Sequence, residues 1–212
     1  MAAPVTPRVA LLPGAGGAGA FWQPVADRLP ADWSRMCFSW PGAGDQAPDP
    51  AVRGYRDLIG WTAGALQDGT DLVAQSMGGV VALGIALAHP AKVRRLVLVA
   101  TSGGTAVDPH GAEDWRREYR REFPGAATWV TSERIDFGDT IASIAAPACL
   151  IWGDADPLSP VAVGRRLQRL LPASTLHVLA DATHTLARDR PDAVATLIAE
   201  HLRQPEKTQT RL

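Results

Sequence analysis

Six short apolar runs, each followed by a longer stretch with helical spacing, constrain this 212-residue chain more than any other feature. The strand candidates are Arg8–Leu12, Arg35–Trp40, Asp71–Gln75, Val93–Ala100, Cys149–Trp152 and Thr175–Leu179. Several are unbroken Val, Leu and Ala runs rather than alternating ones, as expected of strands covered on both faces. The helix candidates between them are Phe21–Leu29, Tyr55–Gln67, Met77–His89, Ala162–Leu171 and Pro191–Arg203. Strand and helix in alternation imply crossover connections, which set the strands parallel in one sheet with helices on both sides, an α/β architecture. One interval breaks the rhythm. From Ser102 to Pro147 roughly forty residues carry a single helix candidate, Ala112–Phe123, in irregular sequence, and the segment at about 103–146 reads as an inserted cap.

With 46% hydrophobic residues the chain can bury one substantial core, so a single domain over 1–212 is expected, with a frayed polar tail at 204–212. The 21 basic and 22 acidic side chains are interspersed and nearly cancel. That balance offers no footprint for nucleic acid and favours a small or neutral partner. No apolar run approaches the roughly 20 residues of a membrane span. The start, MAAPVTPRVALLPG, lacks the charged beginning and long apolar stretch of a signal peptide. A cytoplasmic protein without membrane attachment is therefore expected. Cys37 and Cys149 lie in the apolar runs MCFSW and ACLIW, where buried free thiols are expected rather than a disulfide or a metal site.

Residues 72–83, LVAQSMGGVVAL, set Ser76 between a strand candidate and a helix candidate. A serine on a sharp strand-to-helix turn projects above the carboxyl edge of a sheet and tolerates only small neighbours two positions away, here Ala74 and Gly78. The helix N-terminus then points its free N–H groups at negative charge developing beside the hydroxyl. Taken alone, the pentapeptide leaves open, as the alternative to that turn, an N-cap serine followed by a glycine-rich helix contact. As a small-x-Ser-x-Gly nucleophile elbow, it resembles the α/β-hydrolase superfamily.

Members of that family present an acid and then a histidine after the serine. CLIWGDADPLSP resembles the family's acid-bearing segment, and Asp156 fits its spacing; Asp154 shares the turn and is open to a turn-forming role. The alternative acid position, after the preceding strand, reads Thr101-Ser102, with no carboxylate before Asp108. HVLADATHTLARDRPDAV resembles the final strand, loop and histidine, which makes His184 the candidate base. His89, His110, His177 and His201 sit at a helix end, in the cap, in a strand and late in the last helix.

The loop LLPGAGGAGAFW after the first strand resembles the oxyanion loop, and that match makes the Ala15 and Met77 N–H groups the donors. A phosphate cradle is a poor fit, since no Lys-Ser/Thr follows the glycines; nor does an acidic residue end the second strand, as a dinucleotide fingerprint requires. Pro13 stands where the family carries a bracing histidine. SWPGAGDQAPD and AHPAKVRRLVLVATSGG extend the resemblance over nearly the whole chain outside the cap. The family's first two strands have no counterpart, so a compact α/β-hydrolase fold of about six mostly parallel strands with a short cap is implied.

The resemblance implies a serine hydrolase. Ser76 attacks an acyl carbon, His184 moves the proton, Asp156 orients the imidazole, and water releases the acyl group. A carboxylic ester of a small to medium acyl group is the expected small-molecule substrate, with no cofactor and no metal. Carbon–carbon, thioester and amide hydrolysis use the same residues and stay open, as does a non-catalytic receptor of the same fold. Phe21, Trp22 and Met77 are candidate pocket walls. Trp115, Tyr119 and Phe123, at i, i+4 and i+8, form a stripe that either roofs an acyl pocket or packs as core. In its proportions the chain is similar to esterases of pimeloyl groups on acyl carrier protein, where cap arginines meet an acidic carrier. Here Arg116, Arg117, Arg120 and Arg121 are interleaved with Glu113, Asp114, Glu118 and Glu122, so a solvated helix face is the alternative.

Overall fold

The computed structural model describes residues 6–106 and 110–205. Its strands are β1 (Arg8–Leu12), β2 (Ser34–Cys37), β3 (Thr70–Gln75), β4 (Val93–Val99), β5 (Ala148–Gly153) and β6 (Ser174–Leu179). They form one sheet in the order β2-β1-β3-β4-β5-β6, every neighbouring pair parallel. The helices are α1 (Gln23–Ala26), α2 (Tyr55–Ala65), α3 (Met77–Ala88), α4 (Arg116–Glu122), α5 (Trp129–Ser132), α6 (Val161–Leu170), α7 (Leu186–Asp189) and α8 (Pro191–Arg203).

The period-2 alternation of each strand divides the core into two layers. Ala10, Leu12, Leu72, Ala74, Leu96, Leu98, Leu150 and Trp152 face α2, α3, α6 and the segment between β4 and β5. Val9, Leu11, Val73, Val97, Val99, Cys149 and Ile151 face α1, α7 and α8. Both faces of the central strands are therefore dry, which explains their unbroken apolar sequence. Helix α3 lies deepest, with every residue from Met77 to Ala86 buried.

Four departures from the sequence expectations have local causes. The second strand stops at Cys37, because Trp40 leaves the ladder and donates from its amide to Gly17 O (2.8 Å) and from its indole to Pro13 O (2.8 Å). Cys37 is not buried: β2 is an edge strand, all four of its residues are exposed, and only Cys149 is covered. The expected helix at Phe21–Leu29 is a 3-10 turn, Gly19–Trp22, followed by a fresh start at α1, whose first turn holds Pro24, a residue that cannot donate within a continuing helix. Helix α4 is shorter than Ala112–Phe123; Asp114 Oδ1 accepts the Arg116 amide (3.1 Å) and starts it.

β1 has β2 on one side and β3 on the other, so the chain reverses its direction of travel across the sheet between β1 and β3. Such a switch point opens a crevice at the carboxyl ends of the strands, where ligands of open α/β sheets bind. The loop after β1 and Ser76 after β3 flank that crevice. At the opposite end, Arg94 pairs with buried Asp71 and also donates to Leu202 O, Arg95 donates to Gln204 O (2.8 Å), and His201 Nε2 donates to Pro147 O (3.2 Å). These bonds fasten the end of α8 beneath the sheet, far from the crevice.

Candidate active site

Ser76 joins β3 to α3 with φ 52° and ψ −119°, a conformation that costs an L-residue about 1–3 kcal/mol unless its surroundings impose it. They do so from three sides. Ser76 N donates to Val99 O (3.0 Å), while Ser76 O accepts Gly79 N (3.0 Å) and Thr101 Oγ1 (2.5 Å). A methyl group on Gly78 would stand 2.5 Å from Leu12 O and 2.6 Å from Pro13 O, so only hydrogen fits where α3 meets the end of β1. The Ser76 side chain makes no capping bond to α3, which removes the N-cap alternative. Its Oγ lies instead 3.0 Å from His184 Nε2.

His184 follows β6 and its Nδ1 lies 2.8 Å from Asp156 Oδ2, in the turn after β5. Asp156 Oδ1 accepts the amides of Leu158 (2.8 Å) and Ser159 (3.0 Å). Bound to these two donors, the carboxyl group serves as acceptor toward Nδ1–H, which assigns the Nε2 lone pair to the serine hydroxyl. The Asp156 side chain is fully covered and the His184 side chain is 20% exposed, so the array is closed to solvent at its acid end. Asp154 Oδ1 accepts Asp181 N (2.7 Å) and shapes the turn without approaching the imidazole. Asp108 lies outside the described residues.

The glycine-rich loop has no polar side chain of its own and is held from outside by its carbonyls. Pro13 O and Gly17 O take the Trp40 bonds, Gly17 N closes a turn onto Gly14 O (3.1 Å), and Gly19 N donates to Ser39 Oγ (3.0 Å). Tyr119, reaching in from α4, donates its hydroxyl to Ala15 O (2.9 Å) and accepts Gly44 N (2.7 Å). Among the described residues, neither the Ala15 nor the Met77 amide donates to a protein acceptor. Sequence reasoning missed Gln75, which is 4% exposed. Its Nε2 donates to His184 O (3.2 Å), and its Oε1 fills the space where a side chain on Gly14 would go, so one amide touches the histidine loop and the glycine loop.

Of the candidate pocket walls, Phe21 and Trp115 are partly exposed. Trp22 is not a wall: its ring is fully buried in the layer against α1 and α8. Tyr119 also departs from expectation. It is buried between Trp115 (5.4 Å, edge-on) and Phe123 (5.0 Å), with its hydroxyl occupied by backbone. Burial pushes its phenol above the ordinary range, opposed by the bond from Gly44, so the hydroxyl stays a donor. Met77 is 4% exposed. Arg116, largely covered at the start of α4, pairs with Asp114 (3.1 Å), and on the exposed face of the helix Arg121 pairs with Glu118 (2.6 Å). Among the described residues no three His, Cys, Asp or Glu side chains cluster to hold a metal, and no helix is long and apolar enough to cross a membrane.

Known proteins resemble this chain in sequence and in fold. A pimeloyl-[acyl-carrier protein] methyl ester esterase from Neisseria meningitidis serogroup A is 26% identical over 90% of this chain and 75% of its own length. A second, from serogroup B, is 27% identical over 90% of each chain. Both alignments, at 234 and 237 positions, are longer than the chain itself, so these relatives carry insertions that it lacks. An esterase from Exiguobacterium antarcticum superposes with a TM-score of 0.78 at 15% identity, over 95% of this chain and 94% of its own. Carboxylesterase CesB from Bacillus subtilis gives 0.74 at 18%, over 93% and 84%; at such identities the likeness concerns the fold. The sequence profile described as alpha/beta hydrolase family matches residues 9–140, from β1 through the elbow and most of the segment before β5, and with that match over more than half its length the chain belongs to the alpha/beta hydrolase family.

Proposed function

We propose that the protein is a serine hydrolase that cleaves a carboxylic ester of a small to medium acyl group through an acyl-enzyme. The observation that carries this reading is the continuous array Ser76 Oγ, His184 and Asp156, joined at 3.0 and 2.8 Å from the ends of three different strands. In the proposed reaction His184 Nε2 takes the Ser76 proton as Oγ attacks the acyl carbon. The resulting imidazolium is held by Asp156, and the oxyanion binds the Ala15 and Met77 amides. His184 then protonates the leaving alcohol and activates water for deacylation. Ester hydrolysis fits the names of the relatives, which are esterases. The proposal takes residues 1–212 as one domain whose segment between β4 and β5 is the cap. It also places the protein in a reducing, cytoplasmic setting, a reading the free thiols support.

A second substrate reading keeps the same chemistry but delivers the acyl group on a carrier protein. The names of the relatives favour it, as do Arg117 and Arg120, exposed on α4. The test is hydrolysis of p-nitrophenyl butyrate by wild type and Ser76→Ala, with intact mass spectrometry of trapped acyl-enzyme. Turnover and a single acyl adduct in wild type alone support the proposal; undiminished hydrolysis by Ser76→Ala refutes it. A methyl ester on acyl carrier protein, compared with the same acyl group on a small thiol, separates the two substrate readings.

A further inference from the structure

Gly14 to Gly17 form a β-turn closed by Gly17 N to Gly14 O at 3.1 Å, with Ala15 and Gly16 at its centre. Gly16 is not among the residues with positive φ, so the turn is not type II, which requires φ near +80° at that position. The two common turn types differ by a flip of the central peptide, here Ala15–Gly16, and glycine at the third position makes both accessible. A flip would reverse a dipole of about 3.5 D immediately beside the Ala15 amide. A loop reading Pro-Gly-Ala-Gly-Gly-Ala-Gly has no side chain with which to prevent it. The atom that does fix this peptide comes from the cap. Tyr119 Oη binds the carbonyl of the central peptide at 2.9 Å and is itself fixed by Gly44 N at 2.7 Å. Gly44 in turn packs so closely on Gly16 that a side chain there would overlap Gly16 O.

We propose that Tyr119 is a positioning residue for the reaction: its hydroxyl locks the Ala15–Gly16 peptide in one orientation and so presets the oxyanion donor at Ala15. The inference rests on the serine-hydrolase reading above. It gives the cap a role in the chemical step, independent of any contact between Tyr119 and substrate. An unlocked turn spends part of its time with the wrong dipole beside the developing oxyanion, which weakens transition-state binding and leaves ground-state binding nearly untouched.

Tyr119→Phe removes the one oxygen and keeps the ring between Trp115 and Phe123. The expected result with p-nitrophenyl butyrate is a fall in kcat of about tenfold with KM changed less than about threefold. That loss is a fraction of the 10²–10³ typical of deleting an oxyanion donor outright. Affinity for an alkyl boronic acid, whose tetrahedral adduct mimics the oxyanion, falls in parallel. Gly16→Ala, added to Tyr119→Phe, is expected to recover roughly threefold or more in kcat. Alanine disfavours the positive φ of the flipped turn, and its methyl group meets nothing within 4 Å. The inference is overturned if Tyr119→Phe keeps kcat within twofold of wild type, or if the second substitution recovers none of the loss. Should Tyr119→Phe not fold, Gly16→Ala alone decides: an unchanged or raised thermal midpoint supports the locked turn, and a lowered one overturns it. Loss of hydrolysis in Ser76→Ala with wild-type turnover in Tyr119→Phe would refute this inference alone, whereas turnover surviving in Ser76→Ala would refute the functional reading beneath it.

Discussion

Asp156→Asn tests the proposed array through the orientation of one amide. In wild type, Oδ1 accepts two backbone N–H groups and Oδ2 faces His184 Nδ1. An asparagine keeps the two backbone bonds only by leaving its oxygen at the Oδ1 position, which turns its NH₂ toward Nδ1. The imidazole must then accept at Nδ1 and carry its proton on Nε2, where it cannot receive the proton of Ser76. Restoring the productive tautomer means turning the amide over and leaving the Leu158 and Ser159 N–H groups facing donors in a buried site. At roughly 1–3 kcal/mol for each unsatisfied group, that costs about 2–6 kcal/mol. At about 1.4 kcal/mol per decade the productive form falls by 30-fold to 10⁴-fold, centred near 10³. The expected outcome is a drop in kcat of about 10³ with little change in KM or thermal midpoint, because both backbone bonds persist. Asp154→Asn is the control. Its oxygen can still accept Asp181 N, and kcat should stay within about twofold. Retention of a tenth or more of wild-type kcat by folded Asp156→Asn would refute the tautomer argument and the orienting role with it.

Two further outcomes follow from particular residues. Ser76→Gly should unfold at a higher temperature than Ser76→Ala, by about 1 kcal/mol in stability: both lack Oγ, but only glycine relaxes the φ of 52°. Equal midpoints in calorimetry would mean the turn is unstrained. Burial, aided by Arg95, depresses His201 to about 4 from 6.5, so its contribution to stability is present above pH 6.5 and lost as pH falls toward 4. Asp71 works against it: burial raises it to about 6 despite Arg94, so its contribution is present below pH 3.8 and lost as pH rises through 6. The difference between wild type and His201→Gln isolates the histidine, and denaturant unfolding should show that difference shifting by about 2 kcal/mol toward the variant from pH 7 to pH 5.

How much of this was legible in the sequence depended on how local the determining physics was. The four inner strands are covered on both faces, so their apolar runs carry the signal by themselves. Ser76, Asp156 and His184 each sit at the end of a strand in a turn with its own residue grammar, and each could be found without knowing what it touches. Local pattern misled where an apolar residue served a distant element: Phe38 and Trp40 prolong the run of β2, yet the Trp40 indole belongs to the loop after β1. Trp22 looks like a wall because it follows the glycines, but the 3-10 turn rotates it into the opposite layer. Helices α5 and α7, at four residues each, are too short to show a period. The bond from Tyr119 to Ala15 spans 104 positions and leaves no mark on either segment, since an aromatic at i+4 in α4 reads as packing whatever its hydroxyl does. The one readable sign of it was negative: a glycine-rich loop beginning with Pro13 lacked any side chain able to hold it. Such a deficit predicts a brace elsewhere, because a donor amide aimed at a developing charge has to be held before the charge appears.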